Sequence, residues 1–417
     1  MTTNPAASFS GTSSHPAARH LWAAAAVTLA VMPLAMALAH RSSGLFVCLS
    51  ALLAVAAVAV ERELGRLIDK ARRALLSPIG LASLLFLGWC IFSIAWSDAK
   101  ATSLRAFGEF ILSVAGAFLL ALTLPSRMPR WALWALAAAM LLASLVIIAE
   151  LWTGLALRRS LGLRSAAFVF NRPVITMLLL LLPFLGILGA RRKGGMGGVA
   201  VLVVVPAVAA LHVSESGAGK LGVIVAGLAY LLALLSPRSS RFATAIGLVL
   251  ALSLAPIVGM LGDRLLPDSL HHRLADSHSR DRIDIWISFG AAIRAQPMLG
   301  AGFGVSSRLA ETPVADRVPA EHRTLLAVGH PHNAAVQIWT ELGMIGAAMA
   351  LAVALLVLRT LQPRTGPVHA LQLAMFAAVA AVALVGHGAW QGWWAAAIGA
   401  AIVWFRTIPH EDSRISA

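Results

Sequence analysis

The sequence predicts an all-α membrane protein that crosses the bilayer many times, and three observations support this fold class. Apolar residues make up 59% of the chain and charged residues only 12%, whereas soluble proteins carry about 25% charged residues. The apolar residues fall in runs of about twenty, the length that a helix needs to span the hydrocarbon core. The polar segments between these runs are short, except for one of about seventy residues, and long structureless loops are uncommon without a function.

The apolar runs predict about twelve spans in chain order. Their positions are 21–39, 44–60, 76–97, 105–124, 131–153, 173–190, 197–212, 220–236, 242–262, 333–358, 368–386 and 388–406. This divides the chain into a disordered N-terminal tail (1–20), spans one to nine (21–262), a long loop (263–332), spans ten to twelve (333–406) and a C-terminal tail (407–417).

The basic residues predict the orientation of the spans, because Lys and Arg accumulate in cytoplasmic loops. One set of alternate loops holds Arg62, Arg66, Lys70, Arg72, Arg73, Arg127, Arg130, Arg191, Arg192, Lys193, Arg238, Arg241, Arg359 and Arg364. These loops and both termini are therefore expected on the cytoplasmic side, and loop 263–332 on the periplasmic side. Segment 61–75, with its basic face, predicts a short interfacial helix.

A second group of arginines lies in the outer loops, against this rule. It comprises Arg158, Arg159, Arg164, Arg172, Arg264, Arg273, Arg280, Arg282, Arg294, Arg308, Arg317 and Arg323. Binding of an anionic group explains such a set, because the guanidinium fork matches phosphate oxygens. Pairing with acidic residues of the same loops is the alternative explanation for each single arginine.

Composition excludes two other classes of function. The net charge of +15 does not indicate nucleic-acid binding, because the charges sit in loops and form no basic soluble domain. Cys48 and Cys90 both fall in apolar runs, so they predict neither a disulfide framework nor a zinc site.

The sequence HPHN places His332 at the mouth of the tenth span. The electropositive helix terminus and nearby arginines both disfavour an imidazolium, so we expect a neutral imidazole that accepts a proton. Asn333 and Gln337 are four residues apart and share a helix face, from which both could present polar groups to one ligand. A merely polar interfacial histidine is the alternative. His330 and His332 could also bind a metal, with partners among His271, His272 and His278, but no metal is predicted because no Cys or carboxylate cluster completes the site.

The segment RIDIWISFGAAIR in the long loop predicts an amphipathic helix on the outer membrane–water interface. Ile283, Trp286, Gly290 and Ile293 fall at helical spacing. Trp286 is expected to anchor the helix at the interface, while Arg282, one turn away, reaches a headgroup or pyrophosphate. A purely structural interfacial helix is the alternative.

Two glycine-containing segments carry weaker signals. GAGFG at 300–304 lacks the third glycine of a nucleotide-binding loop and predicts a flexible turn. SESGAGK at 214–220 ends in Lys220, which either adds a cation to the site or snorkels to the membrane surface.

Taken together, these motifs resemble the O-antigen ligase and polymerase superfamily of bacterial inner membranes. The resemblance covers roughly residues 160–350 and rests on FNRP, the S-x-S-G loop, R-x-x-x-W, P-x-L-G-x-G-x-G, and HPHN followed by Q-x-x-x-E-L-G-x-x-G. It implies a fold similar to the GT-C membrane glycosyltransferases. It also implies inverting transfer of an O-antigen from undecaprenyl pyrophosphate to lipid A–core, without a metal, nucleotide or other cofactor.

The resemblance also assigns site residues. The essential histidine of the family corresponds to His332, and a loop arginine of the family to Arg282, with Arg280 close behind. Gly217 stands where the family usually has a further arginine, whose role Lys220, Arg164 or Arg172 could take. Membrane lipids are expected to surround the chain, and both lipid-linked substrates to enter from the bilayer.

Three alternatives remain open at this stage. A polymerase of the superfamily often carries R-x10-G patterns, which the outer-loop arginines here lack. A protein O-oligosaccharyltransferase usually carries a larger C-terminal periplasmic part. A lipid-linked sugar transporter needs charges or broken helices within the spans, and Glu109 and Glu150 appear as nearly the only such acids.

Overall fold

The computed structural model describes residues 15–191, 196–267, 279–361 and 366–408, which are nearly all helical and contain no strand. The predicted all-α membrane fold class is confirmed. Five segments with predicted features lie outside the described residues. They are residues 1–14 and 409–417 of the two tails, 192–195 with Arg192 and Lys193, 362–365 with Arg364, and 268–278 of the long loop with Arg273, His271, His272 and His278.

The α-helices are numbered here in chain order. They are α1 Pro16–Ala30, α2 Met32–Leu38, α3 Ser43–Val60, α4 Leu64–Leu75, α5 Pro78–Ser93, α6 Lys100–Thr123, α7 Ala132–Trp152, α8 Ala156–Ser160, α9 Asn171–Arg191, α10 Met196–Val213, α11 Gly217–Leu235, α12 Pro237–Leu254, α13 Val258–Leu265, α14 Ser279–Ala295, α15 Pro313–Asp316, α16 Ala320–Arg323, α17 Ala334–Thr360, α18 Pro367–Val385 and α19 Gly392–Phe405. Short 3-10 helices occupy Ile94–Trp96, Pro125–Arg127, Ala167–Phe170, Ala255–Ile257, Val305–Glu311 and Thr324–Val328.

Ten spans within the described residues are long and apolar enough to cross a membrane, or eleven if α1 and α2, bent by 48°, form one span. The predicted twelfth span, 388–406, corresponds to α19, which has only 14 residues. At 1.5 Å per residue this helix is about 21 Å long, short of the roughly 30 Å hydrocarbon core. The predicted short helix at 61–75 is present as α4.

The chain divides into two compact units. The first unit consists of Met1–Ala74, Ile111–Lys220 and Gly392–Ala417. Its core is the buried helix α9, which packs against α7, α10 and α19. Buried serines tie its helices together, because Ser50 Oγ donates to the Ala25 carbonyl over 2.8 Å and Ser43 Oγ to the Trp393 carbonyl over 2.9 Å.

The second unit consists of Leu75–Phe110 and Leu221–Gln391. Its central helix is α17, which packs against α5, α12, α14 and α18. The helix is broken at Gly343, which has φ +66°. Residues 263–332, predicted as one long loop, contain the helices α14, α15 and α16 within the described part. This unit therefore holds both the N-terminus of α17 and the helix that carries Arg282.

Candidate active site

Asn333 determines where α17 begins. Its side-chain Oδ1 accepts hydrogen bonds from the backbone N–H groups of Ala335 and Val336, over 3.0 and 3.1 Å. This is the N-cap arrangement that asparagine favours, because it satisfies amides that have no partner within the helix. The buried Asn333 therefore uses its carbonyl oxygen to fix the helix start directly after His332.

His332 is held in an orientation that leaves one ring nitrogen available. Its Nδ1 lies 3.0 Å from the Gly386 carbonyl oxygen. A carbonyl only accepts hydrogen bonds, so Nδ1 carries the proton and Nε2 presents its lone pair. The backbone of His332 has a left-handed φ of +53°, which is uncommon for a non-glycine residue and is often found at functional sites.

The other contact of His332 is with His330. The backbone N–H of His332 donates to Nδ1 of His330 over 3.3 Å, and the two ring centroids are 4.2 Å apart. Because His330 Nδ1 accepts this bond, it is not the protonated nitrogen of its ring. The two histidines thus form one compact turn immediately before α17.

Burial is the largest influence on His332 and lowers the pKa of its imidazole below the ordinary 6.5. The Gly386 carbonyl opposes this effect because it stabilises the protonated ring, and the Arg282 charge adds to the lowering. The net direction is downward, so the neutral imidazole is favoured at physiological pH. A neutral ring with a free Nε2 has the form of a general base.

Arg282 and Arg280 differ in their partners, although both lie at the start of α14. Arg280 is exposed and forms ion pairs with Asp263, over 2.9 Å, and Asp284, over 3.6 Å. Arg282 is half-buried, burial lowers its pKa, and its guanidinium makes no ion pair or hydrogen bond with the described residues. A partly desolvated cation without a counter-ion is suited to receive an anionic ligand.

Helix α14 is present as predicted, but its apolar stripe is covered by protein. Ile283 is 2% exposed and Ile293 is 1% exposed, and the helix packs against α13 and α17. The prediction that this stripe faces a membrane surface is therefore wrong. The half-buried Trp286 donates its indole N–H to the Pro331 carbonyl over 2.8 Å, which ties α14 to the turn that carries His332.

Gln337, predicted to share a ligand-facing surface with Asn333, is also engaged within the protein. Its Oε1 accepts from the backbone N–H of Ala389 over 2.8 Å, and its Nε2 donates to Glu341 over 2.9 Å. Asn333 and Gln337 both lie at the start of α17. Their polar atoms hold neighbouring segments in place.

Glu341 is the functional candidate that the sequence reasoning did not single out. It lies inside the predicted tenth span and is 0% exposed, so Glu109 and Glu150 are not nearly the only acids within the spans. The signal was present in the E-L-G of the last motif, one helical turn after Gln337. An acid deep in an apolar run is rare and indicates a function or a dedicated set of partners.

The glycine segment 300–304 is not the flexible turn that its composition predicted. Gly300, Gly302 and Gly304 all have positive φ angles, between +68° and +100°, and all are buried. The backbone N–H of Gly302 donates to the Glu341 carbonyl over 2.8 Å. A Cβ at Gly300 would lie 2.5 Å from the backbone of Glu341, so only glycine allows this approach to the broken turn of α17.

The other predicted cations, Arg164, Arg172 and Lys220, belong to the first unit. The Arg172 guanidinium lies 5.6 Å from the Trp393 ring and that of Arg164 lies 4.8 Å from the Phe168 ring, and neither forms an ion pair with the described residues. Lys220 is exposed at the start of α11. Aromatic faces attract guanidinium groups, but they leave the N–H donors of those groups available.

A histidine outside the predicted set marks the centre of this basic region. The half-buried His40 has its pKa lowered to about 4, first by burial and then by the charges of Arg172, Arg41, Arg158 and Arg164. We name His40, Arg41, Arg164 and Arg172 the basic cluster. Sequence reasoning missed His40 and Arg41 because they lie in the very short junction between the first two spans.

Arg158 binds the backbone next to and within the basic cluster. Its side chain is buried, its Nε donates to the Arg164 carbonyl over 2.8 Å, and its Nη1 donates to the carbonyls of Ala37 and Leu38. The nearby carboxylate of Glu150 accepts from the backbone N–H groups of Leu157 and Arg158. Glu150 thus makes these hydrogen bonds to backbone amides, and it forms no ion pair with the basic cluster among the described residues.

Comparison with known proteins gives two kinds of similarity. Residues 201–351 match the protein family described as O-antigen ligase. Proteins of Rickettsia typhi and Rickettsia prowazekii are each 28% identical to this chain over 188 residues, which is 44% of this chain and 45% of each relative. A Rickettsia bellii protein is 27% identical over 192 residues, or 46% of its length. Each is named as a candidate polysaccharide ligase, and the matched stretch spans less than half of each relative.

Proposed function

We propose that this chain, whose residues 201–351 match the O-antigen ligase family, transfers a polysaccharide from undecaprenyl pyrophosphate to a sugar hydroxyl of lipid A–core. The observation that supports the proposal best is the pairing of His332 with Arg282. A neutral imidazole whose Nε2 has no partner among the described residues lies within electrostatic reach of a guanidinium that has no counter-ion among them. Transfer of a sugar from a diphosphate needs these two groups: one that accepts a proton and one that receives negative charge.

In the proposed reaction, Nε2 of His332 takes the proton from the acceptor hydroxyl as its oxygen attacks the anomeric carbon. The bond between that carbon and the diphosphate oxygen breaks, and undecaprenyl pyrophosphate leaves with the bonding electrons. Attack opposite the leaving group inverts the anomeric configuration. Arg282 stabilises the growing charge on the diphosphate, which makes it a better leaving group.

The remaining predicted site residues have different roles in this proposal. Arg280, although paired with two carboxylates, is the second arginine that we assign to the diphosphate. Trp286 ties α14 to the turn that carries His332, in place of its predicted role at the membrane interface. Asn333 and Gln337 hold the site together. In the first unit, Arg164 and Arg172 bind an anionic group of a lipid-linked substrate, and Lys220 is a further cation for the same purpose.

The proposed setting is the bacterial inner membrane, with the site facing the periplasm and both termini in the cytoplasm. The sidedness rests on the distribution of basic residues between the two sets of loops. A GT-C-like arrangement of the spans is part of the same proposal. Its support is the all-helical fold together with a catalytic histidine at the mouth of a span.

Two features of α17 are also found in transporters, which are the alternative to a ligase from another functional class. The helix is broken at Gly343 and holds a buried acid, and both features are typical of transport pathways. Here the Glu341 carboxylate accepts hydrogen bonds from protein groups on both oxygens. The break is filled by the glycine segment and the residues before it, since the Ala301 N–H donates to the Thr340 carbonyl and the Met344 N–H donates to the Pro297 carbonyl, both over 2.8 Å. Both features are already bonded to protein groups, so neither offers a binding group to a transported substrate. This supports a reaction at the membrane surface over transport.

The proposed function is tested in proteoliposomes that contain purified lipid-linked glycan and lipid A–core, without nucleotide. We expect a new high-mass glycolipid from the wild-type chain. His332→Ala should lower kcat by about 10²- to 10⁴-fold, the usual contribution of a placed base, while KM changes little.

The matched control is His212→Ala, because His212 is exposed at the end of α10 in the first unit. Full ligation by a normally folded His332→Ala chain would refute the assignment of the base. Lengthening of the donor without lipid A–core would identify a polymerase instead, and bilayer crossing without a new glycolipid would identify a transporter.

A further inference from the structure

The orientation of His332 depends on a carbonyl that lies more than fifty residues away in sequence. Gly386 begins the irregular segment Gly386–Gln391, between α18 and α19, and its oxygen accepts the Nδ1–H of His332. An irregular segment has no helical hydrogen bonds to fix its carbonyls. The direction of this carbonyl therefore depends on what holds the segment.

Two side chains of α17 hold the segment Gly386–Gln391. Gln337 Oε1 accepts from the Ala389 N–H over 2.8 Å, and Glu341 Oε2 accepts from the Trp390 indole N–H over 2.6 Å. Gln337 in turn donates its Nε2 to Glu341 Oε1 over 2.9 Å. Both attachments thus lead to the one buried carboxylate of Glu341.

We infer that Glu341 is the positioning residue of this site, which fixes the imidazole of His332 by anchoring the segment that carries the Gly386 carbonyl. The inference rests on the proposed function only in taking His332 as the catalytic base. Glu341 itself is not a catalytic residue, because it acts through Gln337, Trp390 and the Gly386 carbonyl.

The chemistry of the donors explains why a carboxylate is required at this position. Five donors converge on Glu341, from Gln337 Nε2, Trp390 Nε1, the backbone N–H groups of Gly304 and Ser306, and Ser306 Oγ. An ionised carboxylate is the side chain that only accepts, with two oxygens that can share five bonds. An amide would direct its own N–H group at donors, and an apolar side chain would leave buried N–H groups unpaired.

The same carboxylate also joins the glycine segment to α17. The backbone of Glu341 accepts from Gly302 N–H over 2.8 Å, and its side chain accepts from Gly304 N–H over 2.5 Å. The Trp390 ring is additionally packed 4.7 Å from the Phe303 ring. Because the ring has this apolar support, Trp390→Phe removes one hydrogen bond and retains most of the packing.

The experiment uses the full chain, labelled with ¹⁵N-histidine, in lipid nanodiscs and without substrate. The His332 signal is assigned by its loss in His332→Ala, and its tautomer and pKa are read from the two ring nitrogens. In the wild type we expect one dominant tautomer, protonated at Nδ1. In Glu341→Gln we expect a mixture of tautomers and a lower pKa, because the Gly386 carbonyl no longer stabilises the protonated ring.

The neighbouring titratable groups are unchanged in this variant, since Arg282, His330 and His387 all remain. Removal of the Glu341 charge alone would shift the pKa without redistributing the tautomers, so the tautomer ratio distinguishes positioning from simple electrostatics. Glu109→Gln, which alters an exposed acid of α6, is the control and should leave both values as in the wild type.

Trp390→Phe and Gln337→Ala keep the carboxylate and should shift the tautomers in the same direction but less, and their double variant more than either. These variants keep the test decisive if Glu341→Gln does not fold. An unchanged single tautomer in folded Glu341→Gln, or in the folded double variant, overturns the inference. Because no substrate is used, a released ring in Glu341→Gln would stand even if His332→Ala proved fully active and the proposed function failed.

Discussion

Each of the two units holds a half-buried histidine beside arginines, and the two histidines are held in different ways. His332 is fixed by the Gly386 carbonyl, which opposes the lowering of its pKa by burial and by Arg282. His40 has no such bond to the described residues, and burial together with four arginines lowers its pKa to about 4. His332 is thus held in one orientation, as the proposed proton transfer requires. His40 stays neutral throughout the physiological pH range, and its pKa reflects the positive charge of the neighbouring arginines.

The arginines of the two units follow the same division. In the proposed reaction Arg282 acts beside an oriented base, where a displacement of about 1 Å has large effects on rate. Arg164 and Arg172 rest on aromatic rings, which tolerate sliding and rotation. In the second unit the orientation of the side chains matters most, and in the first unit their positive charge does. Substitutions in the second unit should therefore mainly change kcat, and those in the first should mainly change KM.

Arg282→Gln should have the largest effect in this comparison. Loss of one preorganised donor to a developing charge lowers kcat by about 10²- to 10³-fold. Removing the cation should also raise the pKa of His332, because Arg282 lowers it in the wild type. The rate falls as pH drops through this pKa, so the acidic limb of the pH–kcat profile should move to higher pH.

The control for Arg282→Gln is Arg294→Gln, an exposed arginine near the end of the same helix. It should leave kcat and the position of the acidic limb unchanged. If Arg282→Gln raised only KM and left kcat and the limb in place, Arg282 would be a binding group like those of the first unit, and the comparison would break down.

The double variant Arg164→Gln/Arg172→Gln should have the next largest effect, on KM rather than on kcat. A hydrogen bond from the half-buried Arg172 to a charged group contributes about 1.5–3 kcal/mol, and the exposed Arg164 adds little because solvent screens it. We therefore expect KM for a lipid-linked substrate to rise by about 10- to 100-fold. Arg159→Gln is the matched control, because Arg159 is an exposed neighbour on α8. A fall in kcat at unchanged KM would contradict the binding role.

The all-helical fold and the position of His332 were predictable because they depend on local sequence. Runs of apolar residues set the helices, and a histidine before such a run lies at a helix mouth. The role of Glu341 was not predictable in this way. Its donors at Gly304 and Trp390 are 37 and 49 residues away, and no periodicity encodes contacts at that separation. The sequence reasoning therefore passed over this acid within an apolar span.

Asn333 and Gln337 show a second limit of sequence reasoning. Their four-residue spacing predicted that both amides could present polar groups to one ligand. Spacing cannot tell a ligand from the protein's own amides, and here their partners are Ala335, Val336 and Ala389. For the same reason, helical spacing predicted the apolar stripe of α14 but not that α13 and α17 cover it.

The smallest predicted effect is a shift in the titration of His40, measured with the same ¹⁵N-histidine label. Arg172→Gln should raise the pKa of His40 from about 4, because Arg172 is the foremost of the charges that lower it. The pKa should remain below the ordinary 6.5, since burial is the larger cause and is retained. Inorganic pyrophosphate added to the wild type should raise it as well, because a bound anion offsets the guanidinium charges, and Arg172→Gln should weaken that response. If neither Arg172→Gln nor pyrophosphate changed the pKa of His40, the arginines of the first unit would not act on this ring.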